Sequence, residues 1–313
     1  MPYEVLDAVL ARWGLDGAER LPDTLAAGSP NRVKSRWVLR KDDIVYVLES
    51  LSALKAPSRL RQASFLDVLA KNGCSRINPW LPSRDGQFGV HLGGDFWQLR
   101  QYAQGNLSLP DNYSNDIWRG NALADFQLEM RSKSANIKDA SPFFLSDYIP
   151  RALHAIGHRN AALHEDLIPI VRELAAFFET EAGLPKAFCH GDYHPQNVVW
   201  GEGVINAVID WEFCGVKTAM YDLANLLGCI GMDCPENFSG QLVDTTVRKL
   251  HDVGWGEPEA WRWLPDCIAA SRIAWLREWC FMDNRELMVQ ELDYIWLLLD
   301  NRELLGRMFG GSS

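Results

Sequence analysis

Across 313 residues, hydrophobic side chains make up 47% and charged ones 23%, a balance that excludes global disorder. The 31 basic residues fall short of the 41 acidic ones, and a net charge of −10 argues against a phosphate-backbone footprint, so nucleic acid is not expected as a partner. No apolar run approaches the roughly 18 residues that span a bilayer, residues 1–10 carry no basic leader, and the seven cysteines include no CxxC pair. The chain therefore reads as cytoplasmic, with no membrane partner.

In chain order, residues 32–39 and 44–51 read as two strands joined at Lys41-Asp42-Asp43. A helix is expected over 58–72, with Leu60, Ala63, Leu66 and Leu69 as its apolar stripe and Gly73 as its stop. Residues 87–92 and 96–102 read as two further strands around Gly93-Gly94-Asp95. The pattern then turns helical, with helices expected over 114–130, 147–158, 161–182, 218–231, 236–253, 257–281 and 285–308. Only 188–211 breaks this run with strand and turn character, and the Gly310-Gly311-Ser312-Ser313 tail is flexible by composition. The coarse reading is a β-rich lobe over 1–103 followed by a helical lobe over 104–313.

The informative stretch is His190-Gly191-Asp192-Tyr193-His194-Pro195-Gln196-Asn197, followed by Ile209-Asp210-Trp211. Asp192, Asn197 and Asp210 place oxygen-bearing side chains on a loop and a neighbouring strand end. Such a supply suits a hard cation such as Mg2+. A carboxylate not used by the metal could accept a proton from a substrate hydroxyl. The apolar runs 197–199 and 204–209 read as a hairpin that fixes these groups.

Together with Tyr221-Asp222-Leu223-Ala224, these motifs resemble the aminoglycoside phosphotransferase and choline kinase family, with the homoserine-kinase-type and sugar-kinase-like branches as the nearer flavour. The resemblance implies an α+β, protein-kinase-like bilobal fold with a small β-rich N-lobe and a larger, mainly helical C-lobe. It implies an ATP- and Mg2+-dependent phosphotransferase acting on a hydroxyl of a small molecule: an amino alcohol, a homoserine-like amino acid, a sugar or an aminoglycoside. Asp192 would be the catalytic carboxylate, and Asn197 and Asp210 would hold Mg2+ against the nucleotide phosphates. His190 and Asp222 would brace the catalytic loop. Ser29 and Asn31 would cover the phosphates, and Gln101 and Tyr102 at the hinge would hold the adenine.

Other readings stand beside this one. His190 and His194 lie four apart and, with Asp192 and Asp210, allow a metallohydrolase; Gly191 and Pro195 argue instead for a loop. His194 reads as a structural, hydrogen-bonded residue, and Cys229 and Cys234 as thiols. Trp275 and Trp279, one helical turn apart, could wall a substrate pocket or pack a core. The sequence departs from the family pattern where a strand lysine is expected, since that register holds Glu49, and its helix partner falls near Gln62. This departure supports a nucleotide-binding, pseudokinase-like protein with little catalysis. The reading preferred here pairs Glu49 with a cation from the preceding strand, Lys34, Arg36 or Arg40, which then meets the phosphates.

Overall fold

The computed structural model describes residues 3–26, 28 and 32–310, so Ser29 and Asn31 lie outside the described residues. The chain groups into two compact units, 1–109 with 196–213 and 110–195 with 214–313. Among the described residues, no helix is long and apolar enough to cross a membrane. All seven cysteines are free thiols.

The first unit is built on an antiparallel sheet. Strands β2 (Ser35–Lys41) and β3 (Ile44–Ser52) turn tightly through Asp42, whose φ of 54° is in the left-handed region that Asp tolerates. Strand β6 (Asp95–Gln101) pairs with the other edge of β3, and β5 (Val90–Leu92) returns on β6 through Gly93 and Gly94. The short strands β1 (Glu19–Arg20) and β4 (Trp80–Leu81) complete the order β1-β2-β3-β6-β4. Alternation places Leu39, Leu48, Trp97 and Leu99 in one core. Leu6, Val9 and Leu10 of helix α1 (Tyr3–Ala11) close that core, and their i, i+3, i+4 spacing is an amphipathic helix signal. Sequence reading did not predict α1, β1 or β4.

Helix α2 (Ala56–Lys71) starts with Pro57 in its first turn and buries Arg59, Gln62, Ala63, Phe65, Leu66 and Leu69. Gly73, at φ 85°, follows its end. The hairpin of β8 (Val198–Trp200) and β9 (Ile205–Val208) also belongs to this unit. Bridges from Ile77 to Val208 and from Asn106 to Trp200 hold it there.

The second unit is mainly helical. It comprises α3 (Ile117–Lys133), α4 (Leu145–Arg159), α5 (Ala161–Glu173), α6 (Ala175–Glu181), α7 (Tyr221–Asp233), α8 (Gln241–Asp252), α9 (Pro258–Arg262), α10 (Leu264–Phe281), α11 (Arg285–Asp300) and α12 (Arg302–Phe309). Helix α10 is buried along most of its length and packs on α4, α7 and α11. Several long helices expected from periodicity are broken. The 161–182 helix divides at buried Leu174, whose ψ of 0° turns the axis. The 257–281 helix divides at Trp263, just before Pro265, and the 285–308 helix divides at Asn301. Residues expected to begin a helix at 218 instead form strand β10 (Gly215–Thr218), paired with β7 (Lys186–Cys189). The β-branched Val216 and Thr218 suit that ladder.

Candidate active site

Within the second unit, the catalytic-loop motif begins where β7 ends. Gly191 has φ 85°, a conformation that favours glycine, and it turns two successive amides toward α7. Asp222, in the first turn of α7, accepts hydrogen bonds from the His190 N–H at 2.7 Å and the Gly191 N–H at 2.8 Å. Burial pushes the Asp222 carboxyl up; His190, these two amides and Lys217 oppose that rise, but the net direction is upward. Fully buried His190 turns Nδ1 to accept the Asp192 N–H at 3.1 Å. His190 therefore braces the loop from within, and His194 places Nε2 3.7 Å from an Asp192 carboxylate oxygen. Asn225, one turn beyond Asp222, donates to the Tyr193 carbonyl at 3.1 Å, while the Tyr193 hydroxyl donates to the Leu123 carbonyl at 3.0 Å. Asn225 and Lys217 were not among the residues singled out from sequence; the i, i+3 spacing of Asp222 and Asn225 was the available signal.

The wall expected at Trp275 and Trp279 lies in the same unit. Both rings are half-buried and stack with centroids 5.7 Å apart. The Trp279 indole N–H donates to Glu291 at 3.1 Å. Glu291 accepts both Arg272 arms at 2.5 and 2.8 Å, and Arg272 Nη1 donates to Cys229 Sγ at 3.5 Å. Burial pushes the Cys229 thiol up to about 12, against Arg272, with the Asp192 charge also raising it. The tryptophan pair thus joins a buried ionic network whose thiol feels the candidate catalytic carboxylate.

The 3-10 turn at Pro195–Asn197 leads into β8 of the first unit, where Asp210 follows β9. The Ile209 N–H donates to the Asn197 carbonyl at 2.9 Å, which sets these two chain segments side by side. Asp210 takes φ 65°, an uncommon conformation outside glycine, and the Trp211 indole N–H closes the turn on the Val208 carbonyl at 2.8 Å. Asn197 and Asp210 offer an amide and a carboxylate oxygen, a hard donor set that fits Mg2+ completed by phosphate oxygens and water. Among the described residues, no group of three or more His, Cys, Asp or Glu could hold a metal ion, so the His-rich hydrolase ligand set is not assembled.

At the expected hinge, the Tyr102 N–H donates to the Val45 carbonyl at 2.9 Å, and its hydroxyl to the Leu25 carbonyl at 3.1 Å. Gln101 pairs with Tyr46 at the end of β6. Antiparallel bonding alternates, so the Gln101 peptide groups point away from β3 while the Tyr102 amide is spent on it.

Glu49 lies on β3, only 2% exposed, with its carboxylate bonded by Arg36 at 2.7 Å and Arg100 at 3.1 Å. Of the three cations expected from the preceding strand, Arg36 is the partner. Lys34 pairs with Asp95, and Arg40 lies 3.7 Å from Glu19. Arg100 was missed from sequence. Burial alone would push the Glu49 carboxyl up; Arg100, Arg36 and Arg59 together outweigh it and hold the group below its ordinary value. Gln62 donates to the Glu212 carbonyl at 2.7 Å and lines one cavity with Glu49, Arg59, Arg100 and Asp210.

The chain is similar to several known proteins. A homoserine kinase from Azorhizobium caulinodans is 28% identical over 158 residues, 50% of this chain and 48% of that protein. The chain thus spans about half the length of this curated relative. A microcompartment-associated aminopropanol kinase superposes with a TM-score of 0.69 at 15% identity, covering 96% of both chains. A thermostable aminoglycoside phosphotransferase in ternary complex with ADP and hygromycin B gives 0.68 at 15% identity, covering 94% of this chain and 97% of that one. These likenesses show a shared protein-kinase-like fold. The profile of the phosphotransferase enzyme family matches residues 22–264, most of the chain. With the His190–Asn197 loop, the Asp210 turn and the Asp222 brace inside that span, the chain belongs to the phosphotransferase enzyme family.

Proposed function

We propose that the chain is a cytoplasmic, ATP- and Mg2+-dependent kinase that phosphorylates a hydroxyl of a small molecule, with the first unit holding nucleotide and the second the acceptor. The observation that carries this reading is the braced catalytic loop, in which buried Asp222 and His190 fix the backbone leading into Asp192 and Asn225 holds the Tyr193 carbonyl just after it. A carboxylate held this way can orient an acceptor hydroxyl. The hydroxyl oxygen bonds to the γ-phosphorus as the bridging P–O bond to ADP breaks, and the proton passes to the Asp192 carboxylate. Asn197 and Asp210 would hold Mg2+, which when bound neutralises charge on the phosphates. The backbone at Gln101 would meet the adenine edge, and the half-buried faces of Trp275 and Trp279 would wall the acceptor.

The kinases named above act on amino-bearing alcohols, which supports an acceptor of that class. The test is ATP consumption over a panel holding homoserine, aminopropanol, simple sugars and aminoglycosides, each with Mg2+ and with chelator. One acceptor should stimulate turnover only with the metal. Asp192→Asn should keep the wild-type melting temperature and lose roughly 10²–10⁴-fold in kcat; more than about half of wild-type kcat would remove Asp192 from its role. Glu49 and Gln62, at positions where the fold's lysine and glutamate are expected, favour a nucleotide binder with little catalysis as the second reading. A nucleotide-induced rise in melting temperature with no stimulated turnover would support it.

A further inference from the structure

Glu49 leaves an electrostatic problem. A carboxylate repels a phosphate charge beside it, so it cannot stand in for a lysine. The surroundings invert the usual order of charges. Glu49 sits on the central strand, Arg36 lies directly opposite it on β2, and Arg100 lies diagonally on β6, beyond the Glu49–Gln98 pair. Diagonal neighbours on one face of a sheet are within reach of long side chains. Both arginines converge on the same Glu49 oxygen. From α2, Arg59 adds a third positive charge acting on Glu49.

The local charge is positive. Arg32, Arg36, Arg59 and Arg100 oppose Glu49, Asp210 and Glu212, which pairs with Arg32 at 3.2 Å and Arg59 at 3.8 Å. Four guanidinium groups against three carboxylates leave one net positive charge. Among the described residues, no lysine lines this cavity. Arg36 is committed to the backbone, donating to the Gly28 carbonyl at 2.8 Å as well as to Glu49. Arg100, bonded to Glu49, and Arg59, paired with Glu212, both lie over the ring of Trp80, at 5.3 and 5.9 Å from its centroid. Each guanidinium carries five N–H donors in a rigid fork suited to phosphate oxygens.

We propose that Arg59 and Arg100, poised by buried Glu49, bind the nucleotide phosphates in place of a strand lysine. Glu49 is then a positioning residue: it fixes Arg100 and, through Arg36, the chain at Gly28. This inference rests on the nucleotide-dependent reading above, so its test separates the two.

The experiment measures affinity for Mg-ATP and for adenosine, which has no phosphate, in the full chain. Arg59→Gln and the neutral double variant Glu49→Gln/Arg100→Gln should each weaken Mg-ATP at least tenfold and leave adenosine within twofold. Lys55 donates to the Arg32 carbonyl at 2.9 Å and is the nearby lysine to exclude; Lys55→Gln should change neither ligand more than twofold. If the double variant does not fold, Arg59→Gln carries the test alone. Mg-ATP affinity within twofold of wild type in the arginine variants, or a tenfold loss in Lys55→Gln instead, overturns the proposal while leaving the kinase reading intact. Wild-type protein that binds neither Mg-ATP nor adenosine overturns both.

Discussion

Asp222 has two backbone amides to satisfy, and that fixes what its loss would do. Asp222→Ala would leave the His190 and Gly191 N–H groups buried without their acceptor, at about 1–3 kcal/mol each. Asp222→Asn keeps one acceptor oxygen and should fall between the alanine variant and wild type. Urea midpoints would show this order, and equal midpoints for all three proteins would refute the bracing role. The same residues show how far a motif can be read without coordinates. The loop spacing marks Asp192, Asn197 and Asp210 as one chemical set, because their separation along the chain is short and a glycine and a proline punctuate it. Arg100 is different. It stands 51 positions from Glu49, and its contact exists only because β6 pairs with β3, a register that local sequence does not encode.

At the scale of elements, the Glu49 cluster ties β2, β3, β6 and α2 together, and its charge makes that tie dependent on pH. The carboxyl is held below its ordinary value near 4.5. Its stabilising contribution is therefore present above that pH and is lost as pH falls through the folded value. Glu49→Gln should lower the melting temperature at pH 7, where Arg36 and Arg100 lose their counter-charge, and the gap from wild type should begin to narrow only as pH falls below 4.5. A gap that stays constant would mean the carboxylate charge is not what joins these elements. Helix α3 meets α8 through a close approach at Gly120, where an added Cβ would come 2.5 Å from the Leu242 carbonyl oxygen. The helix backbone cannot yield as a side chain can, so Gly120→Ala should cost about 1–3 kcal/mol by overpacking. A thermal midpoint equal to wild type would show that the two helices can part freely. Where sequence periodicity misjudges these elements, packing is the cause. Apolar spacing continues through Leu174 and Asn301, and the chain turns at those residues while keeping its buried face.

At the scale of the whole molecule, neither compact unit is continuous in sequence. The first takes residues 196–213 back after 86 residues of the second, and what they bring is structural as well as chemical. Val208 bridges Ile77, and its N–H donates to the Arg76 carbonyl at 2.9 Å. Trp200 and Asn106 exchange backbone hydrogen bonds at 2.8 and 2.9 Å. Asn206 donates to the Gln104 carbonyl at 2.9 Å, Gln62 donates to the Glu212 carbonyl, and Arg32 and Arg59 pair with the Glu212 carboxylate. A fragment of residues 1–109 would keep the β2-β3-β6 ladder but lose these partners. The Arg76, Gln104 and Asn106 backbone groups would turn to water, and the buried side chains of Arg59 and Gln62 would lose their partners at a cost on the order of 1–3 kcal/mol each. Against a typical total stability of 5–15 kcal/mol, these two losses together with the uncovered apolar faces of Ile77 and α2 are decisive. The fragment should therefore give collapsed amide proton dispersion and no cooperative thermal transition, while the full chain melts cooperatively. A fragment 1–109 with dispersed amides and a sharp transition would show that the sheet and α2 are self-sufficient and that the returning hairpin is not needed to hold them together.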